Sequence, residues 1–211
     1  MSENTKLDPI TFEVLRHSFV TLVDEMGMKL FRASFSPPVN QGRDYSIAIF
    51  DPEGNLVTAG RWDMPIHYGT FRFTIREIVR VLGREDILEG DIVLFNDPYA
   101  GGTHNQDVRA VRPIFRDGEL IAWLVAMAHW ADVGGPVPGT FNPEAADAYA
   151  EGIRIPPVKI YERGRRLDPV IELVMANIRV PDERRGDLHA QVQTLFSGEQ
   201  RLLELADKHG V

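Results

Sequence analysis

The side chains best suited to chemistry are concentrated between Asn96 and Gly135. Asn96-Asp-Pro-Tyr-Ala-Gly-Gly-Thr-His104 is followed by Asp107, and His129-Trp-Ala-Asp132 runs into Val-Gly-Gly135. Two His-x-x-Asp pairs, His104/Asp107 and His129/Asp132, thus sit in glycine-loaded loops. Neutral imidazole and carboxylate together form a borderline-hard donor set suited to Zn²⁺, Mn²⁺ or Fe²⁺. Glycine lets the backbone approach a ligand closely. These residues read as a mononuclear divalent-metal centre, which with an open position polarises a carbonyl or lowers the pKa of bound water.

Plainer roles compete for each residue. Loop histidines commonly serve as hydrogen-bonding groups, and aspartates cap turns. Asp44, at the start of a predicted strand, is the best remote carboxylate; pairing with Arg43 or Arg32 is its alternative. His67, between Pro65 and Gly69, is a candidate for substrate binding or acid–base work, or a loop-packing residue. Asp97 either orients a ligand histidine or caps its Asp-Pro turn. Trp130 either walls the site or packs the core. No Gly-x-x-x-x-Gly-Lys-Ser/Thr loop, no Gly-x-Gly-x-x-Gly after a strand and no Gly-x-Ser-x-Gly elbow is present, so neither a nucleotide site nor a serine hydrolase of that type is expected.

The elements that must position these groups follow from periodicity and punctuation. Asp8-Pro9 opens a long amphipathic helix to about Arg32, and Ser34 to Gly42 reads as a loop. Asp44–Asp51 and Leu56–Ala59 flank the turn Asp51-Pro-Glu-Gly-Asn55. Arg61 to Gly69 reads as a loop holding His67, and Thr70 to Leu82 as a helix stopped by Gly83. After a short strand, Asp91–Phe95, a hairpin is formed by Val108–Phe115 and Leu120–Ala128 around Arg116-Asp-Gly118. Antiparallel pairing then brings both His-x-x-Asp pairs to one sheet edge. Ala145–Glu151 reads as a short helix and Ile155–Ile160 as extended chain. Helices follow from Asp168 to about Ile178 and from Pro181, with Gly198 a potential break and Arg184-Arg185 a solvated face. The fold class is α+β: a long N-terminal helix, hairpins forming a mixed or antiparallel sheet, and C-terminal helices. The 211 residues fit a single domain.

Composition narrows the function classes. A formal net charge of −8 argues against nucleic-acid or anionic-membrane partners. With no cysteine there are no disulfides, thiolate ligands or cysteine nucleophile. The first residues, Met1 to Lys6, lack a signal-peptide core, and no apolar run is long enough to span a bilayer, so a cytoplasmic location is expected.

Several stretches together carry a resemblance over most of the chain. They are Gly42-Arg-Asp-Tyr-Ser46, Pro65-Ile-His-Tyr-Gly69, Asn96 to His104 with Asp107, His129 to Gly135, Glu151-Gly-Ile-Arg-Ile-Pro-Pro-Val-Lys159, and Ala176-Asn-Ile-Arg-Val-Pro-Asp-Glu-Arg-Arg-Gly-Asp187. In this order they resemble the hydantoinase B/oxoprolinase family of N-methylhydantoinase B subunits, 5-oxoprolinase halves, acetone carboxylase α-type subunits and lactamase relatives. The resemblance implies a two-part machine. A hydantoinase A-type partner with an actin/hexokinase-like ATPase fold uses ATP to phosphorylate the substrate, and the B-type subunit completes hydrolysis or carboxylation at a metal. Carried over by motif, the implied metal ligands are Asp44, His104, His129 and Asp132. Asp107 becomes a neighbouring acid, and Asp107 or His67 moves protons. The implied substrate is a cyclic amide (hydantoin, oxoproline or lactam) or a ketone.

The alternatives are an acetone-carboxylase-type subunit, a non-catalytic assembly subunit, and a stand-alone amidohydrolase that needs no ATP. Trp130 replaces a second histidine common in the family's His-His-Ala-Asp pattern. B-type subunits are also much longer, so the resemblance implies their N-terminal portion, as a fragment or one piece of a split subunit with a separate C-terminal chain.

Overall fold

The computed structural model describes residues 8–209, so the N-terminal stretch read above from Met1 to Lys6 lies outside the described residues. Helix α1 (Pro9–Ala33) begins where Asp8 accepts from the backbone N–H groups of Ile10 and Thr11, both at 3.0 Å. Asp8 satisfies two donors that no helical carbonyl can reach, and Pro9 loses nothing at the first position. A four-residue helix α2 (Pro37–Asn40) lies within the expected loop, where Pro37 and Pro38 already hold helical φ.

The strands are β1 (Tyr45–Phe50), β2 (Leu56–Ala59), β3 (Ile92–Phe95), β4 (Asp107–Arg116), β5 (Glu119–His129), β6 (Val158–Glu162) and β7 (Arg165–Arg166). The remaining helices are α3 (Pro65–Leu82), α4 (Asp168–Met175) and α5 (Pro181–His209), with 3₁₀ turns at Pro98–Ala100 and Ala148–Glu151. The strands form one sheet in the order β2-β1-β5-β4-β3-β6-β7, with every pairing antiparallel. The fold is α+β, as expected.

Strand parity assigns the two faces. Tyr45, Ile47 and Ile49 of β1, Val108, Ala110 and Ile114 of β4, and Leu124, Ala126 and Ala128 of β5 pack with α1, α4 and α5. The alternate set, Ala48, Phe50, Val111, Trp123, Val125 and Met127, packs with Phe71, Ile75 and Ile78 of α3. Asp107 and Arg109 share the parity of Val111, and His129 that of Met127, so the functional side chains fall on the α3 face. Burying one large apolar side chain is worth about 1.5–3 kcal/mol. A one-residue slip of β4 would turn Asp107 and Arg109 into the apolar layer under α1 and α5 and is strongly disfavoured.

Three expectations need correction. Helix α3 starts at Pro65, so His67 stands on a first helical turn rather than in a loop. Helix α5 runs through Gly198 without a break. A Cβ there would come within 2.5 Å of Met26 Cε and 3.0 Å of Leu124 Cδ1, so the glycine admits α1 and the sheet. Arg184 is buried rather than solvated, with its Nε 2.9 Å from Asp187 Oδ2; only Arg185 reaches outward, to Glu172.

Candidate metal centre

The site lies on the α3 face, at the end of the sheet where β4 begins and β5 finishes. Asp107 and His129 are directly paired there, and the Asp44 carbonyl receives the His129 backbone N–H at 3.1 Å. His104 enters from the glycine loop, which Asn96 braces from within. The Asn96 side chain donates to the carbonyls of Asn105 and Ile153 at 2.6 and 3.0 Å and accepts from Ile155 N–H at 2.5 Å. Gly102 is required by space, because a Cβ would stand 2.6 Å from the carbonyl oxygens of Asn96 and Asp97.

Five side chains converge. Asp107 Oδ1 lies 3.1 Å from His104 Nε2 and 3.4 Å from His129 Nδ1. Asp44 Oδ2 lies 3.3 Å from the same His129 nitrogen. His67 Nε2 lies 3.5 Å from Asp107 Oδ2 and 3.7 Å from Asp44 Oδ1. The His104 and His129 rings are 4.9 Å apart, centre to centre. Thr103 Oγ1 donates to Asp107 Oδ2.

Electrostatics follow from this crowding. Burial alone would raise the Asp107 carboxyl, yet His104, His129 and Thr103 hold it far below the ordinary carboxylate range. Burial opposes charge on His129 as well, but Asp107 and Asp44 raise it to about 9. His104 is raised by Asp107 against the same burial. His67 is lowered because burial outweighs the two carboxylates. Such mutual perturbation marks functional sites more often than structural ones.

The donor set fits a divalent cation. His104 Nδ1 lies 2.6 Å from Gln106 Oε1, an acceptor, so Nδ1 carries the ring proton of the neutral imidazole. Nε2 then turns its lone pair toward the Asp107 carboxylate. Asp107 Oδ1 and His129 Nδ1 are buried and make no hydrogen bond of acceptable geometry despite their short separations. Two imidazoles and a buried carboxylate grouped this closely suit a metal ion, and an outer hydrogen bond on a ligating histidine is the usual accompaniment. The ligand atoms of His104, Asp107 and His129 lie within 4.8 Å of one another.

Asp132 is not brought into this group. Its carboxylate accepts from the N–H groups of Gly134 and Gly139 at 2.8 and 2.7 Å and pairs with Arg179 at 3.1 Å. Burial opposes ionisation, but those two N–H groups and Arg179 leave its carboxyl below the ordinary range. The chain turns away after β5: Trp130 N–H donates to Gln106 O, and the indole is buried on the opposite side against Gln191 Oε1 at 2.9 Å. Trp130 therefore packs the core. Asp97 caps the Pro98 turn through Tyr99 N–H and lies 3.5 Å from Arg154, apart from the histidines.

Three supporting residues escaped the reading of the sequence. Gln106 orients His104, and Ser46 lies 2.7 Å from His67 Nδ1. Arg109, fully buried, ties the glycine loop to α3 through Gly101 O, Thr70 and Thr74. Ser46 was legible in principle, since it lies two residues beyond Asp44 on the same strand face.

The hydantoinase B/oxoprolinase family model matches residues 8–211. The caprolactamase subunit beta of Pseudomonas jessenii is 40% identical over 205 residues, which are 97% of this chain and 35% of that protein. The crystal structure of the ATP-dependent caprolactamase from Pseudomonas jessenii superposes with a TM-score of 0.88 at 39% identity, over 98% of this chain and 35% of that one. The 5-oxoprolinase of Dictyostelium discoideum is 32% identical over 207 residues, which are 98% of this chain and 16% of that protein. A nucleotide-free acetone carboxylase structure shares the fold, with a TM-score of 0.86 at 19% identity over 95% of this chain and 26% of that one. The chain spans about a third or less of the length of these relatives. With the family model covering nearly all of it, the chain belongs to the hydantoinase B/oxoprolinase family.

Proposed function

We propose that this chain holds the divalent-metal centre of an ATP-dependent cyclic-amide hydrolase and acts with a separate ATPase subunit. The observation that carries the reading is the convergence of His104 Nε2 and His129 Nδ1 on Asp107 Oδ1, at 3.1 and 3.4 Å, with Asp44 Oδ2 3.3 Å from the same His129 nitrogen. Asp44, His104, Asp107 and His129 are the ligands; Asp107 takes the place that motif matching gave to Asp132. The substrate class comes from the ATP-dependent caprolactamase. The sequence carries no glycine-rich phosphate loop, so ATP is used by the partner.

When bound, the cation supplies Lewis acidity toward a carbonyl or phosphoryl oxygen. The chain's own residues do the rest. Gln106 holds the His104 ring so that Nε2 faces inward, and Arg109 holds the glycine loop against α3. His67, with Nε2 3.5 Å from Asp107 Oδ2 and 3.7 Å from Asp44 Oδ1, is the residue placed to take a proton from the attacking water. The likeness to acetone carboxylase is one of fold and gives ketone carboxylation no separate support. Zn²⁺, Mn²⁺ and Fe²⁺ all suit the ligand set.

Elemental analysis of the purified chain, alone and with its co-expressed partner, tests the reading. About one or more divalent cations per chain, lost in His104→Ala, is the expected result, together with ATP-dependent turnover of a lactam, hydantoin or oxoproline that falls at least 100-fold in the same variant. Full metal content and activity in both His104→Ala and His129→Ala would overturn it.

A further inference from the structure

Helix α5 carries a stripe of buried polar residues. Arg184, Asp187, Gln191 and Thr194 recur three or four residues apart, so they share one side of the helix, and all are buried. Gln191 is the member that reaches the strands bearing the proposed ligands. Its Nε2 donates to Val108 O of β4 and Ala126 O of β5, both at 2.8 Å, and its Oε1 accepts from Trp130 Nε1 at 2.9 Å. The partners fix which way this amide points: carbonyl oxygens only accept, and an indole N–H only donates. The amide can reach strand backbone because Ala110, Ala126 and Ala128, on the same face of the sheet, are short.

These contacts sit next to the proposed ligands in the chain. Val108 follows Asp107, and Trp130 follows His129. Trp130 N–H in turn donates to Gln106 O at 2.9 Å, and the Gln106 side chain stands 2.6 Å from His104 Nδ1. The same Gln106 carbonyl takes the Val108 N–H, also at 2.9 Å. One side chain on α5 thus holds, directly or through Trp130 and Gln106, the backbone from which His104, Asp107 and His129 project. It does so from the face of the sheet opposite the site.

We propose that Gln191 is a positioning residue for the metal centre: it clamps β4 to β5 behind the site and, through Trp130 and Gln106, sets how His104, Asp107 and His129 face one another. It touches neither cation nor substrate. The inference rests on the metal-centre reading of the proposed function and extends that centre to the helix on the far side of the sheet. Trp130, packed in the core, is the relay between Gln191 and the loop that bears His104.

Gln191→Met keeps the reach of the side chain and removes all three bonds. It leaves buried polar groups unpaired, so it loses stability whatever the role of Gln191. Leu202→Ala is the control for that loss, since Leu202 is buried on the same helix about three turns, roughly 16 Å, further along. Co²⁺ is added to the metal-stripped full chain; chelator competition gives its affinity, and its visible absorption bands report the ligand geometry. In Gln191→Met the affinity should fall about 10-fold and the bands should shift. Trp130→Phe, which removes the indole N–H, should shift them as well, and Leu202→Ala should keep the wild-type affinity and bands. Wild-type affinity and bands in Gln191→Met would overturn the proposal and leave the metal centre standing. The same shift in Leu202→Ala would also overturn it, because any loosening of α5 would then suffice. No Co²⁺ or Zn²⁺ bound by the wild type would overturn the metal-centre reading and this inference with it. Should Gln191→Met fail to fold, Trp130→Phe decides: shifted bands support the relay, and unchanged bands overturn it.

Discussion

Asp107 and His129 face each other across β4 and β5, with Oδ1 of the aspartate 3.4 Å from Nδ1 of the histidine. Directly paired residues on adjacent strands hold their side chains at a separation set by the backbone ladder. Two of the four proposed ligands are therefore fixed by the sheet itself, while Asp44 directly precedes β1 and His104 lies in the glycine loop. Preorganisation of this kind keeps the cost of assembling a metal site low.

This geometry separates the two aspartates that follow the histidines in sequence. Asp107→Asn should lower metal affinity by more than about 100-fold, the upper end of what an outer-sphere partner contributes. Asp132→Asn should keep the metal and instead lose about 1–3 kcal/mol of stability, because Arg179 and the 134–139 loop lose their anchor. Metal content after dialysis and thermal unfolding of both variants check this. The opposite assignment would favour the ligand set carried over by motif.

Gln106 acts on the metal through His104. Gln106→Ala should weaken metal binding by about 10–100-fold, and Gln106→Glu, which keeps an acceptor for Nδ1–H, should restore most of it. Histidine ring ¹⁵N NMR gives a readout that a simple packing defect would not mimic: the His104 tautomer should become mixed in Gln106→Ala alone.

Asp63 makes stability depend on pH. Burial raises its carboxyl from 3.8 to about 7, despite N–H bonds from Ile47 and Gly60. The folded chain thus holds a proton that the unfolded chain has released above pH 3.8. The stabilising contribution is complete below that value and declines as pH rises toward about 7, by up to about 1.4 kcal/mol per unit. Asp63→Asn, which can still accept both N–H groups, should flatten this part of the profile. Urea unfolding of both proteins from pH 4 to 8 measures the difference; parallel profiles would remove Asp63 as the cause.

The buried pair of Arg184 and Asp187 should behave as one unit. Arg184→Ala leaves the Asp187 carboxylate buried without its cation and should cost about 3–5 kcal/mol. Replacing both with apolar residues should cost less than the sum of the single changes, as a double-mutant cycle in urea would show.

Local signals made much of the framework legible. The Asp8-Pro9 cap, the turn at Asp51 to Asn55 and the hairpin around Asp117-Gly118 each fixed an element within a residue or two of where it lies. Pairing the hairpin correctly brought His104, Asp107 and His129 to one edge. Where tertiary packing outweighs local propensity, the sequence misled. Gly69 closed a segment read as a loop, but inside α3 it costs only about 1 kcal/mol, which Phe71, Ile75 and Ile78 recover through burial. Gly198 resembles a break and is instead a packing groove. Asp132 follows the same spacing as Asp107, yet β5 ends at His129, and beyond a strand end sequence spacing no longer predicts direction. Arg184 looked solvated because its pair with Asp187, three residues on, is buried by contacts far away in sequence, where Asp187 also holds Phe35 and Ser36.

That last network sets an order of events during synthesis. Ser36 Oγ donates to Asp187 Oδ2 across 151 residues of chain and receives the N–H of Ala131, two residues beyond His129. All the proposed ligands have left the ribosome by the time His129 emerges, yet Ser36, which braces the segment leaving β5, gains its own anchor on Asp187 only after α5 has been made and docked. A nascent chain would therefore offer an unfinished site to any cation it met, and firm loading would wait for the C-terminal helix.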